Sequence, residues 1–400
     1  MSDLYQQSLA LHKKYQGKLA IKSLTPITNK QQLSLVYTPG VAEPCRAIAK
    51  DPQLSFDLTC RGRTIAVISD GSAVLGLGNI GPEAAMPVME GKALLMKEFA
   101  GVDSIPLVIR TTDAGQIIDF VKQVSPSFAG INLEDIAAPV CFQVEEALQD
   151  LGIPVFHDDQ HGTAIVVKAA LINAAKVVEK PYESLKVVVL GAGSAGLAIS
   201  KMLLGLYCQS DNCSRINGTS SVSDLIVVDR QGAIYPLRGN MNTYKQAIAG
   251  VSNKHLQKGS LEQVIKGADV VIGVSGPKLI TPAMIKSMAK RAIVFAMANP
   301  EPEIMPQLAI QAGAEVVATG RSDFQNQINN VLAFPGIFKA VIDQRIPQIT
   351  QQMKQAAALA LSQLVENPTA DRIIPDPFDP RVVPTISQAV INQYQQERSK

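Results

Sequence analysis

The chain has 400 residues, too many for one ordinary core, so two or three domains are expected. Its composition, 46% hydrophobic and 18% charged, is that of a water-soluble globular protein. A net charge of +2, few aromatics and no long basic run argue against a nucleic-acid surface. The opening stretch MSDLYQQSLALHKKYQ lacks the apolar core of a signal peptide. The longest apolar run, residues 187–199, is short and interrupted by glycine and serine, so no membrane span is expected. Five dispersed cysteines (Cys45, Cys60, Cys141, Cys208, Cys213) without a C-x-x-C pair fit a reducing compartment, which makes the cytoplasm the expected location.

In chain order, residues 1–30 read as an amphipathic helical lead-in that ends in a loop at Thr25-Pro26. Short apolar runs at 64–69, 105–109, 128–133 and 153–156 read as strands, with helices at 82–99 and 139–151 between them. Pro82 suits a first helical turn and Gly101 the position just past the end. A second α/β unit begins near residue 162 with a long helix over 162–178, followed by strands at 186–190, 224–228, 270–274, 292–297 and 315–318. Strands alternating with helices imply α/β architecture with mostly parallel sheets. The polar stretch 206–224 reads as a surface loop. An alanine-rich helix over 349–365, a proline-rich arm over 367–384 and a helix over 385–396 complete the chain.

The apolar strand LKVVVL runs into G-A-G-S-A-G and then a helix. In that setting Gly191 permits the tight turn, Gly193 lets the backbone approach a pyrophosphate, and Gly196 allows close helix–strand contact. Ser194 and Ala195 open the helix whose unpaired N–H groups face the anion. Asp229, which ends the next strand, would accept from the ribose hydroxyls and favour NAD over NADP, whereas the adjacent Arg230 could instead pair with a 2′-phosphate.

Two apolar strands end in carboxylate pairs, Glu134-Asp135 and Asp158-Asp159. Glu134, Asp135 and one member of the second pair could supply three oxygens to Mg²⁺ or Mn²⁺. The competing reading is that Asp135 and Asp159 cap the helices that follow. His157 and His161 stand four apart, but a strand end intervenes, so a supporting role is expected in place of metal ligation. Lys92 lies on an apolar helix face. It either snorkels to solvent or is buried, and burial alone would lower its pKa toward that of a usable base. Tyr37 sits in a turn beside Pro39-Gly40 that could aim its hydroxyl.

The segments YTPGVAEPC, ISDGSAVLGLGNIGP, MPVMEGKA, NLEDI, HDDQHGT, GAGSAG and ANPEPEI, in that order, resemble those of the small bacterial and archaeal malic enzymes. The resemblance implies a substrate and metal domain over 1–161, a Rossmann-like NAD(P) domain over 162–385 and a C-terminal helix over 386–400 packing back. It implies oxidation of malate by NAD(P)⁺ and decarboxylation to pyruvate, with Mg²⁺ or Mn²⁺, in a homodimer. Carried over by position, Glu134, Asp135 and Asp159 bind the cation, with Asp158 alongside. Lys92 is the base for the substrate hydroxyl, and Tyr37 is the proton donor to C3. Asn299 and Asn330 contact substrate or nicotinamide, and the GVSGPK segment, with Gly273 and Ser275, forms a cofactor-side loop. Larger malic enzymes carry an arginine in DGERILGLG that grips a substrate carboxylate; Ser72-Ala73 stand there in this chain. An oxaloacetate decarboxylase, a malolactic enzyme and a catalytically dead nucleotide sensor are the alternative readings.

Overall fold

A computed structural model describes residues 2–74, 76–209 and 212–399. Leu75 of the DGSAVLGLG segment and residues 210–211 of the expected surface loop lie outside them. Four parallel strands form the first sheet: β1 (Thr64–Ser69), β2 (Asp103–Val108), β3 (Gly130–Leu133) and β4 (Val155–His157), in the order β2-β1-β3-β4. Every residue of β1, β3 and β4 is buried, as expected of strands covered by helices on both faces. Pro106, which has no N–H to donate, lies on the edge strand β2. The Pro82–Ala100 helix packs against β1 and β2 and stops at Gly101, whose φ of 69° closes the last turn.

The second sheet contains β5 (Lys186–Leu190), β8 (Asp224–Asp229), β9 (Gly232–Ala233), β10 (Val270–Gly273), β11 (Ala292–Ala296) and β12 (Ala314–Thr319), ordered β12-β11-β10-β5-β8-β9. Only β9 runs antiparallel, at the edge. Between β5 and β8 in the chain, β6 (Leu206–Gln209) and β7 (Asn212–Arg215) form a separate hairpin where the sequence suggested a loop. The register sets Cys208 opposite Cys213, and the two are joined as a disulfide. Five dispersed cysteines therefore include one close pair, because strand pairing brings together residues whose spacing matches no motif.

In each sheet the chain reverses its direction of growth once, between β1 and β3 in the first and between β5 and β10 in the second. Loops leaving adjacent strands at such a point diverge and open a crevice at the strands' C-terminal ends. The Asp158–Val177 helix leads from the end of β4 into the second unit, starting four residues earlier than the sequence suggested. The Phe334–Gln344, Gln351–Gln363 and Val382–Arg398 helices pack back on the body. Asn173 ties that return together, donating to the carbonyls of Ser362 at 2.9 Å and Ile373 at 3.0 Å. Among the described residues, no helix is long and apolar enough to cross a membrane.

Candidate active site

Glu134 and Asp135 directly follow β3, and Asp158 and Asp159 directly follow β4, so adjacent parallel strands deliver both pairs to one place. Oxygens of Glu134, Asp135 and Asp159 lie within 4.8 Å of one another. Neither Asp158 nor Asp159 caps the helix it opens; the N-cap is His157, and no side chain bonds to that end. Asp135 adopts φ 54°, and its N–H donates to Asp159 Oδ2 at 2.7 Å. That bond turns the β3 loop toward the β4 helix. Asn132 donates to Glu134 Oε2 at 2.8 Å and fixes the other acid. An all-oxygen set with this spacing fits Mg²⁺ or Mn²⁺.

Lys92 reaches the same point from the Pro82–Ala100 helix and does not snorkel. Its Nζ lies 2.5 Å from Asp158 Oδ2, 3.0 Å from Glu134 Oε1 and 4.2 Å from the centre of the Phe334 ring. Burial draws its pKa down, but the flanking Asp158 and Glu134 outweigh that and hold it above its ordinary value. This corrects the expectation from burial alone: the neighbouring charges decide the direction. Burial also pushes the carboxyls up, Glu134 to about 7, Asp158 to about 7 and Asp159 to about 6. Four carboxyl groups around one ammonium leave a surplus of negative charge, which a divalent cation would balance.

Gly162, one turn into the helix, makes room for this cluster: a Cβ there would lie 1.9 Å from Asp158 Oδ1. At the opposite wall, a Cβ on Gly196 would lie 1.9 Å from the carbonyl oxygen of Gly191, so helix and strand touch only because Gly196 has no side chain. The adjoining loop after β10 is held by a buried acid. Glu303 accepts from the N–H of Ser275 at 2.9 Å and of Ala298 at 3.0 Å. Between the carboxylates and these loops lies a cleft of about 540 Å³, lined by Asp135, Asp159, Ser194, Ser275, Asn299 and Asn330 among others. The glycine cradle, the helix N-terminus and a cleft of this size fit a dinucleotide.

Two family models match nearly the whole chain: "Malic enzyme, N-terminal domain" over residues 16–149 and "Malic enzyme, NAD binding domain" over 160–393. The chain belongs to the malic enzyme family. It is 53% identical to the bifunctional malic/malolactic enzyme of Bacillus subtilis over 97% of this chain and 92% of that protein. It is 51% identical to the NAD-dependent malic enzyme of Geobacillus stearothermophilus, over 94% of this chain and 76% of that protein. The crystal structure of the Thermotoga maritima NAD-dependent malic enzyme superposes with a TM-score of 0.90 at 45% identity, covering 96% of this chain and 98% of that one. The fold is thus an N-terminal malic enzyme domain followed by a Rossmann-like domain that takes a nicotinamide cofactor.

Two residues assigned by resemblance to this family lie in settings the sequence did not suggest. Tyr37 does not line the cleft and is 67% exposed, after a helix, Lys30–Val36, that has no buried residue. Asp229 is at the end of β8 as expected, but its carboxylate is already engaged. Arg238 donates to both oxygens at 2.8 and 2.6 Å, and Lys245 donates at 2.8 Å. These bonds hold Asp229 well below the ordinary carboxylate range against the opposing effect of burial. Arg230 is exposed. No arginine or lysine is among the cleft-lining residues; Ala73, at the position of the larger enzymes' arginine, lines the cleft with only a methyl group, and its neighbour Ser72 accepts a hydrogen bond from the Ala137 N–H at 2.8 Å. Sequence reasoning missed Glu303, Phe334, Arg238 and Lys245. An acid inside the ANPEPEI segment was the one available signal.

Proposed function

We propose that this cleft oxidises L-malate with NAD(P)⁺ and decarboxylates the resulting oxaloacetate, releasing pyruvate, CO₂ and NAD(P)H. The observation that carries the reading is the position of Lys92, between Glu134 and Asp158, at the edge of a three-carboxylate cluster facing the GAGSAG loop. Glu134, Asp135 and Asp159 would hold Mg²⁺ or Mn²⁺, which when bound supplies a Lewis acid for both the oxidation and the loss of CO₂. Lys92 takes the C2 hydroxyl proton as hydride leaves C2 for the nicotinamide. Asp158, 2.5 Å from Nζ, positions the lysine, and the charge of a bound divalent cation would offset the carboxylates that keep the amine protonated. The substrate lies between Asn299 and Asn330, whose amides replace the missing arginine in contacting the distal carboxylate. Gly191, Gly193, Ser194, Ala195 and Gly196 cradle the pyrophosphate, with Gly273 and Ser275 on the facing loop. Residues 1–161 form the substrate and metal unit, and 162–385 the nucleotide unit.

The cofactor reading changes with Asp229. A lone carboxylate would repel a 2′-phosphate, but Arg238 and Lys245 cancel its charge and leave a net positive one. The site therefore accepts NADP⁺ as well as NAD⁺. The protein acts in the cytoplasm as a homodimer. Supporting the dimer, Leu24, Ile27, Leu35 and Tyr37 are all exposed on one N-terminal stretch, an apolar surface that a second copy would cover. Tyr37, absent from its own cleft, then protonates C3 of the pyruvate enolate in the partner's site. Mixing inactive Tyr37→Phe and Lys92→Ala chains tests this: subunit exchange should restore about a quarter of the wild-type activity, on the order set by random pairing. Mixtures that stay inactive although exchange is demonstrated would refute the shared site. Similarity to a bifunctional malic/malolactic enzyme supports a second reading, reduction of the bound product to lactate before release, and chromatography for lactate distinguishes it.

A further inference from the structure

Behind the cleft, on the far side of two helices that help form it, lies a second and smaller cavity of about 80 Å³. The Asp158–Val177 helix contributes Gln160 and His161, the Ser194–Leu204 helix Lys201, the Gln351–Gln363 helix Lys354 and the Val140–Ala147 helix Glu145. Its acids already have donors. Glu145 accepts from His161 at 2.7 Å, and Glu146 accepts from the Tyr244 hydroxyl at 3.1 Å.

Its cationic donors make no hydrogen bonds, although Glu145 acts on both lysines through space. Lys354 is only 4% exposed, yet it makes no hydrogen bond or ion pair among the described residues; its recorded contact is the Phe156 ring at 5.8 Å. Lys201, half-buried, likewise makes no hydrogen bond; it lies over the Phe142 ring at 5.8 Å and the Tyr244 ring at 6.0 Å and feels Glu145 and Glu146 through space. Gln160 is 3% exposed, and its Nε2 has no partner. An ammonium in such a place is costly unless an acceptor answers it. Two buried donors without hydrogen-bond partners, Lys354 and Gln160, with Lys201 on the same wall of a small, partly open cavity, suit a compact ligand with several acceptor oxygens and negative charge.

We propose that this cavity is a regulatory site for a small oxyanion, a short-chain carboxylate or inorganic phosphate, held by Lys354, Lys201 and Gln160. Its position makes it a control point. Gln160 directly follows Asp159, and the helix bearing Lys201 begins at Ser194 of the nucleotide loop. A ligand drawing Gln160 and Lys201 together would bias the first turns of both helices, and so the affinity of the cleft for substrate and cofactor.

Calorimetric titration of the full-length protein with acetate and, separately, with phosphate tests the proposal. At least one should bind saturably with a millimolar-range dissociation constant, and the one that does identifies the ligand. Binding should weaken at least tenfold in Lys354→Met, with the malate KM no longer responding to that anion. Lys201→Met is the second variant, should the first fail to fold, and should show the same loss. Heats that never saturate, or saturable binding of equal strength in wild type and both variants, would overturn the proposal. So would a cavity found to hold water alone in a crystal grown with saturating acetate or phosphate.

Discussion

Replacing Lys92 with methionine keeps the apolar stem and removes the charge that holds the carboxylates together. Glu134 and Asp158 would remain buried, within 3.0 Å and 2.5 Å of where the ammonium stood. Removing one partner of a buried ion pair typically destabilises a protein by about 3–5 kcal/mol, since the other charge is left without compensation. In this cluster the loss falls on carboxyls already pushed upward by burial, so protonation of one of them relieves part of it, and about 3 kcal/mol is expected in metal-free buffer. Mn²⁺ should then stabilise the variant by more than it stabilises wild type, because the cation takes over the neutralising role. Turnover should be abolished in either case. Urea unfolding followed by circular dichroism, with chelator and with Mn²⁺, reads the first two effects, and reduced-nicotinamide absorbance reads the third. A metal-free loss below about 1 kcal/mol, the range of exposed pairs, would refute the charge account even if activity vanished.

Lys245→Met should reduce kcat/KM for NADP⁺ by about tenfold or more while leaving NAD⁺ within about threefold, because one charge-assisted contact is worth roughly 1.5–3 kcal/mol; equal losses with both cofactors would contradict the assignment. Gly162→Ala drives a Cβ into Asp158, which stands 1.9 Å away. It should lower malate turnover by about a hundredfold, the usual consequence of a displacement near 1 Å in a catalytic group; kinetics like wild type would show that the helix yields without moving Asp158. Lys168 is buried and its pKa lowered by desolvation to about 8 from 10.5, so its ammonium costs the folded state about 3 kcal/mol below pH 8. That cost disappears as pH rises from 8 toward 10.5. The stability advantage of Lys168→Met over wild type should therefore shrink by about 2 kcal/mol between pH 7.5 and 10 in denaturant titrations, and a constant difference would refute the sign.

Much of the fold was legible because parallel strands buried on both faces leave continuous apolar runs such as TIAVIS and KVVVL. Pro82 and Gly101 bracket their helix in the structure as they do in the sequence. The β6–β7 hairpin was not legible, since NCSR and LYCQ pair through register and neither alternates strongly. At the site, spacing alone left cation binding and helix capping open for Asp135 and Asp159, and only the three-dimensional path of the chain, with Pro139 and His157 at the N-caps, removes the capping reading. The direction of the Lys92 pKa was likewise out of reach. It depends on Asp158, 66 residues away in sequence and 2.5 Å away in space. Asp229 ends its strand as expected, but the cations that neutralise it lie 9 and 16 residues further on, in a stretch without a motif.

The most direct test of the proposed chemistry is product stoichiometry with the wild-type protein, malate and Mn²⁺, using NAD⁺ and NADP⁺ in separate reactions. One reduced nicotinamide, one pyruvate and one CO₂ should appear for each malate consumed, with at least one of the two cofactors and only when the cation is present. Absence of reduced nicotinamide with both, or pyruvate formed from malate at an undiminished rate in chelator, would contradict it.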